Sequence, residues 1–76
     1  METARNRADR RWHMNPTDRV AHVLRTQAGP DGLVKITLGD LAELADLEHG
    51  AAVYARDQLL RADRIDRLAD SLYRVR

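Results

Sequence analysis

The sequence predicts a mainly α-helical domain with a small β-hairpin at its C-terminal end. Three features support this class: a short apolar run at residues 33–37, two helical stretches joined by a tight corner, and two apolar–polar alternations within residues 64–76. A chain of 76 residues provides one domain. Because a domain this small buries only about 60% of the surface that its unfolded chain exposes, we expect it to gain stability as a homodimer.

The composition argues against several classes of protein. The chain has no cysteine and its three histidines lack the spacing of a zinc site, so no metal is expected. No apolar stretch approaches the roughly 20 residues that cross a bilayer, and no signal-peptide hydrophobic region follows the charged N-terminus. Glycine-rich phosphate loops and nucleophile motifs are also missing from the sequence. We therefore expect a cytoplasmic protein that is not an enzyme and has no cofactor, small-molecule ligand or membrane partner.

Residues 1–14 are predicted to form a flexible basic arm, and residues 15–76 the folded domain. The arm carries four arginines, at positions 5, 7, 10 and 11, and a lone tryptophan, Trp12. An arm of this kind can enter a minor groove or follow a phosphate backbone. The same composition also fits a solubilising tail, and Trp12 fits an anchor on the body of the domain or on a second subunit.

The first helix is predicted over residues 16–28. Asn15 can cap this helix, Pro16 suits its first position, and Gly29 followed by Pro30 can end it. Apolar residues that recur at helical spacing form one stripe, which should face the core. The stripe consists of Val20, Val23, Leu24 and Ala28.

A short strand and a second helix follow the turn at residues 30–32. Val34 and Ile36 flank Lys35 in the alternation of a half-buried strand. Thr37 is placed to cap helix 2, predicted over residues 38–45, with Asp40 at the acidic position of a capping box. Five residues are expected on the buried side of this helix: Leu38, Leu41, Ala42, Leu44 and Ala45.

The third helix is predicted over residues 48–62, after a corner at residues 46–48. Leu47 in that corner should insert into the core. Ala52, Ala55 and Leu59 lie on one line of the helix, which gives it a narrow inward face of small residues near the corner. Two helices can approach closely at such a face.

The C-terminal segment has two interpretations. In the first, residues 64–68 and 72–76 are strands around a turn, and Ile65, Tyr73 and Val75 point inward. In the second, no residue after position 50 breaks a helix, and apolar positions at 3-4-3 spacing fit a continuous helix or a coiled-coil seam. We favour the hairpin because Tyr73 and the Arg-Val-Arg ending are typical of a strand.

Residues 36–45, Ile-Thr-Leu-Gly-Asp-Leu-Ala-Glu-Leu-Ala, resemble the first half of a bacterial winged helix-turn-helix domain. In that family a strand ending in Thr or Ser leads into a helix with a central Leu-Ala pair, and here Ala42 would fill the small-residue position where helix 2 meets helix 3. The resemblance covers about residues 18–76 and implies three helices, a short strand before helix 2 and a C-terminal wing. Asp46 and Asp63 stand where the family usually has glycine, and Asp46 can still adopt a left-handed turn.

The resemblance implies that helix 3 lies in a major groove and contacts base edges. Arg56 is the first candidate, because an arginine–guanine contact contributes about 1 to 3 kcal/mol of discrimination. It could instead pair with Asp57 or Asp63, and Tyr54 could instead pack against the wing or a second subunit. The predicted base-contacting residues are His49, Gly50, Val53, Tyr54, Arg56 and Asp57.

Phosphate contacts are predicted at the start of helix 2, where backbone N–H groups attract anions, and at basic side chains. Aspartates interleaved with the C-terminal arginines could equally make that region a solvated salt-bridge surface. The predicted backbone-contacting residues are Lys35, Thr37, Gly39, Arg61, Arg64, Arg67, Arg10 and Arg11.

These features together predict a small bacterial transcriptional regulator, a repressor in the first instance, that binds duplex DNA sequence-specifically as a nucleoid-associated homodimer. The alternative is an interaction module that docks a larger regulator or a polymerase subunit. Residues 31–48 carry five acids and one lysine, a net charge of −4, which fits a protein partner better than a phosphate backbone.

Overall fold

The structure is a computed structural model that describes residues 14–76. This part of the chain contains three helices and three strands, in the order α1 Pro16–Gln27, β1 Leu33–Lys35, α2 Leu38–Ala45, α3 His49–Arg61, β2 Ile65–Ala69 and β3 Leu72–Val75. The prediction of a mainly α-helical chain with a small β element is confirmed. The predicted basic arm, residues 1–14, lies outside the described residues except for Met14.

Both predicted N-terminal caps are confirmed. The side chain of Asn15 accepts a hydrogen bond from the backbone N–H of Asp18 at 2.8 Å, and Pro16 is the first residue of α1. The hydroxyl of Thr37 accepts a hydrogen bond from the backbone N–H of Asp40 at 3.1 Å. Each bond satisfies one of the amides that the first turn of a helix leaves without a partner, and so fixes where the helix begins.

Two aspartates in the left-handed region end α2 and α3. Asp46, with φ of 57°, closes α2 and turns the chain toward α3, and the backbone N–H of Leu47 donates to the carbonyl of Ala42 at 2.9 Å. Asp63, with φ of 58°, closes α3, and the N–H of Arg64 donates to the carbonyl of Leu59 at 3.0 Å. Because this arrangement redirects the chain after α3, the continuous-helix interpretation is wrong.

The three strands form one antiparallel sheet in the order β1-β3-β2. The hairpin prediction is confirmed, with Ile65 opposite Val75 and an irregularity in the register between Arg67 and Ala69. Val34 of β1 lies opposite Tyr73 of β3. The pairing of β1 with β3 attaches the hairpin to the segment that leads into α2.

The core lies between α1, the two other helices and the inner side of the sheet. α1 packs against both α2 and α3. Ile65 and Tyr73 point inward as predicted, with 3% and 1% exposure, and Leu47 and Val75 pack against the core from its edge. The remaining buried apolar residues are Val20, Ala21, Val23, Leu24, Val34, Ile36, Leu41, Ala42, Ala45, Ala52, Ala55 and Leu59.

The prediction is wrong for one core residue, Leu44. The sequence predicts Leu44 on the buried side of α2, and the structure leaves it 47% exposed. The inward stripe of this short helix runs through Leu41, Ala42 and Ala45. Because consecutive helical residues are about 100° apart, Leu44 falls beside that stripe and turns toward solvent.

Candidate nucleic-acid interface

The outer stripe of α3, defined by Gly50, Tyr54, Asp57 and Arg61, faces away from the core. These residues follow a 4-3-4 spacing and therefore share one face of the helix. Tyr54 is 65% exposed, the highest value among the large apolar side chains of residues 14–76. At this exposure most of the Tyr54 side chain is open to solvent rather than packed against its own chain.

The start of α3 is also open to solvent. Glu48 caps the helix through its backbone without a side-chain hydrogen bond, and His49 and Gly50 are exposed. A Cβ atom built on Gly50 would meet no atom within 4 Å. Val53 is half-buried at the edge of the outer stripe. His49, Gly50 and Tyr54 are therefore accessible to a ligand, and their contact with bases stays a prediction.

Arg56 lies inside the domain, whereas the sequence interpretation places it against a base edge. The residue is 8% exposed. Its Nε and Nη2 atoms donate to Oδ1 of Asp57 at 3.2 and 3.0 Å, and Nη1 donates to the phenolic oxygen of Tyr73 at 3.5 Å. Of the two alternative partners predicted for Arg56, Asp57 and Asp63, Asp57 accepts its hydrogen bonds. The guanidinium is engaged within the domain and connects α3 to β3.

The position of Arg56 follows the helical period, although its residue type argues for the surface. It lies four residues after Ala52 and three before Leu59, which places it on the inward side of α3. The hydrogen bond to Tyr73 raises the pKa of Arg56, burial opposes that rise, and the bond to Asp57 adds to it. The guanidinium therefore remains a fixed positive charge beneath the outer stripe.

Asp57 presents one carboxylate oxygen to Arg56 and keeps the other outside that pair. Oδ1 accepts both bonds from Arg56, whereas Oδ2 accepts none from the described residues. The side chain is 44% exposed. An aspartate on this face would ordinarily repel a phosphate backbone, and the adjacent guanidinium offsets that charge.

The predicted phosphate contacts at the hairpin are partly occupied by ion pairs. Arg64 approaches Asp18 at 3.9 Å and Arg67 approaches Asp70 at 3.3 Å. The two arginine side chains are 49% and 42% exposed. Exposed ion pairs of this kind contribute little to stability, so each arginine can exchange its aspartate for a phosphate. Within residues 14–76, Lys35 and Arg61 are exposed and form no ion pair.

The start of α2 is a weaker anion site than the sequence suggests. Thr37 and Gly39 are exposed, but the Thr37 hydroxyl is used by the helix cap and Asp40 adds a negative charge to the same turn. The exposed acids Asp40, Glu43, Asp46 and Glu48, together with Leu44, form the acidic surface of α2. Among the residues 36–55 that contain this surface there is no lysine or arginine.

The remaining predictions concern the basic arm, metal binding and membrane spans. Arg10, Arg11 and Trp12 lie outside the described residues. In the described range there is no group of three or more side chains that could hold a metal ion. No helix formed by these residues is both long and apolar enough to span a bilayer.

The fold resembles that of a known sensor protein. No protein-family model matches the sequence, and no curated protein matches it either. The structure is similar to the reduced, Fe(II) form of the CO-sensing protein from R. rubrum, with a TM-score of 0.76 and 21% sequence identity. The similarity covers 97% of this chain and 37% of the other, so the chain spans little more than a third of that protein's length. At this identity the comparison shows a shared fold.

Proposed function

We propose that this chain is a winged helix-turn-helix domain that binds duplex DNA sequence-specifically, with α3 in the major groove. The observation that carries the proposal is the outer stripe of α3, which is accessible to solvent along its length while the opposite side of the helix is buried. A tight corner at Asp46 supports this helix on one side and the β2–β3 hairpin lies beyond its other end. The fold shared with part of a CO-sensing protein is consistent with a regulatory module.

The proposed contacts follow from exposure. A major groove about 12 Å wide admits an α-helix, and the start of α3 would present His49, Gly50, Val53, Tyr54 and Asp57 to base edges. Lys35 and Arg61, with Arg64 and Arg67 after exchange of their ion pairs, would contact phosphates. Thr37 and Gly39 would add backbone N–H contacts at the start of α2.

We also propose that the chain forms a homodimer and acts as a repressor. A homodimer would place two α3 helices at half-sites about 34 to 36 Å apart along the duplex, and occupation of a promoter would repress transcription in the cytoplasm. We assign the chain no enzymatic activity. The CO sensing of the similar protein is not part of this proposal.

Tyr54→Ala tests the proposal, with Leu44→Ala as its control. Both residues are exposed apolar side chains on neighbouring helices, at 65% and 47%. Selection from a random duplex pool would give a preferred sequence, and fluorescence anisotropy would give the dissociation constants. We expect Tyr54→Ala to weaken binding to the selected duplex about tenfold and to leave binding to a scrambled duplex within about twofold. Leu44→Ala should leave both unchanged. Failure of the wild-type chain to select any sequence would refute the proposal.

A second candidate function rests on the acidic surface of α2. An exposed leucine with four exposed acids within four positions of it along the chain suits a basic partner protein with an apolar contact, such as a larger regulator or a polymerase subunit. For this function Leu44→Ala becomes the test variant and Tyr54→Ala its control. Leu44→Ala would weaken binding to purified RNA polymerase, Tyr54→Ala would not, and no duplex would be selected.

A further inference from the structure

The pair formed by Arg56 and Asp57 joins a buried cation to an exposed carboxylate on the outer stripe of α3. We propose, on the basis of the proposed function, that Asp57 recognises a cytosine and that Arg56 is the positioning residue that holds Asp57 for that contact. The proposal changes the role of Arg56 from a base contact to the support of its neighbour.

The chemistry of a carboxylate restricts which base it can recognise. An ionised carboxylate only accepts hydrogen bonds. In the major groove, cytosine offers the N4 amino group as a donor, whereas guanine presents the acceptors O6 and N7 and thymine presents O4. Adenine offers an N6 donor, but its N7 acceptor lies beside that group. Asp57 is therefore expected to favour a C·G pair at one position.

The geometry of the pair leaves one oxygen free for such a contact. Both bonds from Arg56, at 3.2 and 3.0 Å, end on Oδ1 of Asp57. Two donors from one planar guanidinium restrict rotation of the carboxylate, and Oδ2 accepts no hydrogen bond from the described residues. A preoriented acceptor loses less conformational entropy when it binds than a freely rotating one.

The surroundings of Arg56 explain why it can hold Asp57. Nη1 donates to the hydroxyl of Tyr73, a residue that is 1% exposed on β3, the central strand of the sheet. The guanidinium is thus attached to the core on one side and to the outer stripe on the other. Its charge also offsets the repulsion between Asp57 and the phosphates that line the groove.

Asp57→Asn is the decisive variant. The dissociation constant would be measured for the selected duplex and for duplexes with each base pair changed singly. Wild type should lose about tenfold in affinity when one particular C·G pair is changed. Because an amide can bind both N6 and N7 of adenine, the variant should prefer A·T at that position and keep its other preferences. Asp66→Asn, which removes a carboxylate paired with Arg76 at 2.8 Å on the hairpin, is the control and should leave every preference unchanged.

Arg56→Met tests the positioning role, because methionine fills a similar space without donors. The discrimination at the same base pair should fall to about threefold or less, because the acceptor is no longer preoriented, and discrimination elsewhere should persist. Arg56→Lys, which keeps a positive charge and hydrogen-bond donors, should restore part of that discrimination. Tyr73→Phe, which removes a single hydroxyl, gives the same test with a smaller decrease and keeps the buried ring, so it serves if Arg56→Met does not fold.

The outcomes separate this inference from the proposed function. Selection of no sequence by wild type refutes the proposed function, and the inference with it. Selection by wild type, with cytosine preference retained in Asp57→Asn, refutes the inference alone. An equal loss at all base pairs in Arg56→Met and in Tyr73→Phe would show a structural role for Arg56 and refute its positioning role.

Discussion

Helices α1 and α3 pack against each other, yet they bring different side chains to the core. α1 contributes branched residues, Val20, Val23 and Leu24, which are at most 4% exposed. The inward side of α3 begins with two alanines and includes the charged Arg56. Large branched groups hold the first helix in place, whereas the third combines two small residues with one large apolar residue, Leu59, and the hydrogen bond that joins Arg56 to β3.

This difference separates stability from recognition. Burial of a valine or leucine side chain contributes about 1.5 to 3 kcal/mol. Alanines contribute less by burial, but small contact residues allow helix axes to come closer together. The outer stripe of α3 can therefore change without loss of the apolar side chains that stabilise the domain. We expect substitutions in α1 to affect folding and substitutions on the outer stripe to affect binding.

The largest effect is expected from Leu24→Ala in α1. Leu24 is fully buried, and truncation of such a residue removes apolar contacts and leaves a cavity. The free energy of unfolding should fall by about 3 kcal/mol, measured from urea unfolding with an unchanged slope. Leu44→Ala, the same change at a residue that is 47% exposed, should cost under about 1 kcal/mol. Equal losses for the two variants would contradict the central role of α1.

A smaller loss is expected from Ala55→Leu in α3. Ala55 is fully buried where α3 meets the rest of the core, so a larger side chain must separate the helices or leave its preferred rotamer. The free energy of unfolding should fall by about 2 kcal/mol in the same urea experiment. Ala62→Leu, at the exposed residue that follows α3, is the matched control. A stability for Ala55→Leu equal to that of the control would show that α3 does not depend on small residues.

Local signals in the sequence predict most of the fold. Thr37 predicts the start of α2, and the apolar spacing in α1 and α3 predicts which sides are buried. Capping and periodicity depend on residues that are neighbours along the chain, so they can be recognised without coordinates. The pairing of β1 with β3 joins residues about forty positions apart, and no local pattern indicates it.

The candidate site is predicted less well, because residue type and position give opposite indications. Arginine suggests a surface contact and so favours a base edge for Arg56, although its spacing from Leu59 places it inside. Its partner Tyr73 is seventeen residues away along the chain, and that hydrogen bond becomes visible only when α3 and β3 are brought together. Leu44 shows the converse: an apolar residue suggests burial, and its position on a short helix exposes it.

The smallest effect is expected when each helix-start glycine is changed to alanine. Gly50 and Gly39 are each the second residue of their helix, α3 and α2 respectively. A Cβ at Gly50 meets no atom within 4 Å, and at Gly39 the nearest atom is the Thr37 hydroxyl at 3.9 Å. Because alanine loses less conformational entropy than glycine in a helix, each variant should gain about 0.5 kcal/mol in the free energy of unfolding.

The same two variants should differ in how they bind DNA. A methyl group at Gly50 would meet base edges, so the dissociation constant should change by a factor that depends on the base pair presented. A methyl group at Gly39 would lie near the phosphates, so any change should be uniform across sequences. Both would be measured by anisotropy on the selected duplex and its single-base-pair changes. Since the two glycines are matched in helix position and in open space, a difference in base dependence would indicate which helix lies against the bases. A uniform change for Gly50→Ala and a base-dependent one for Gly39→Ala would assign recognition to α2.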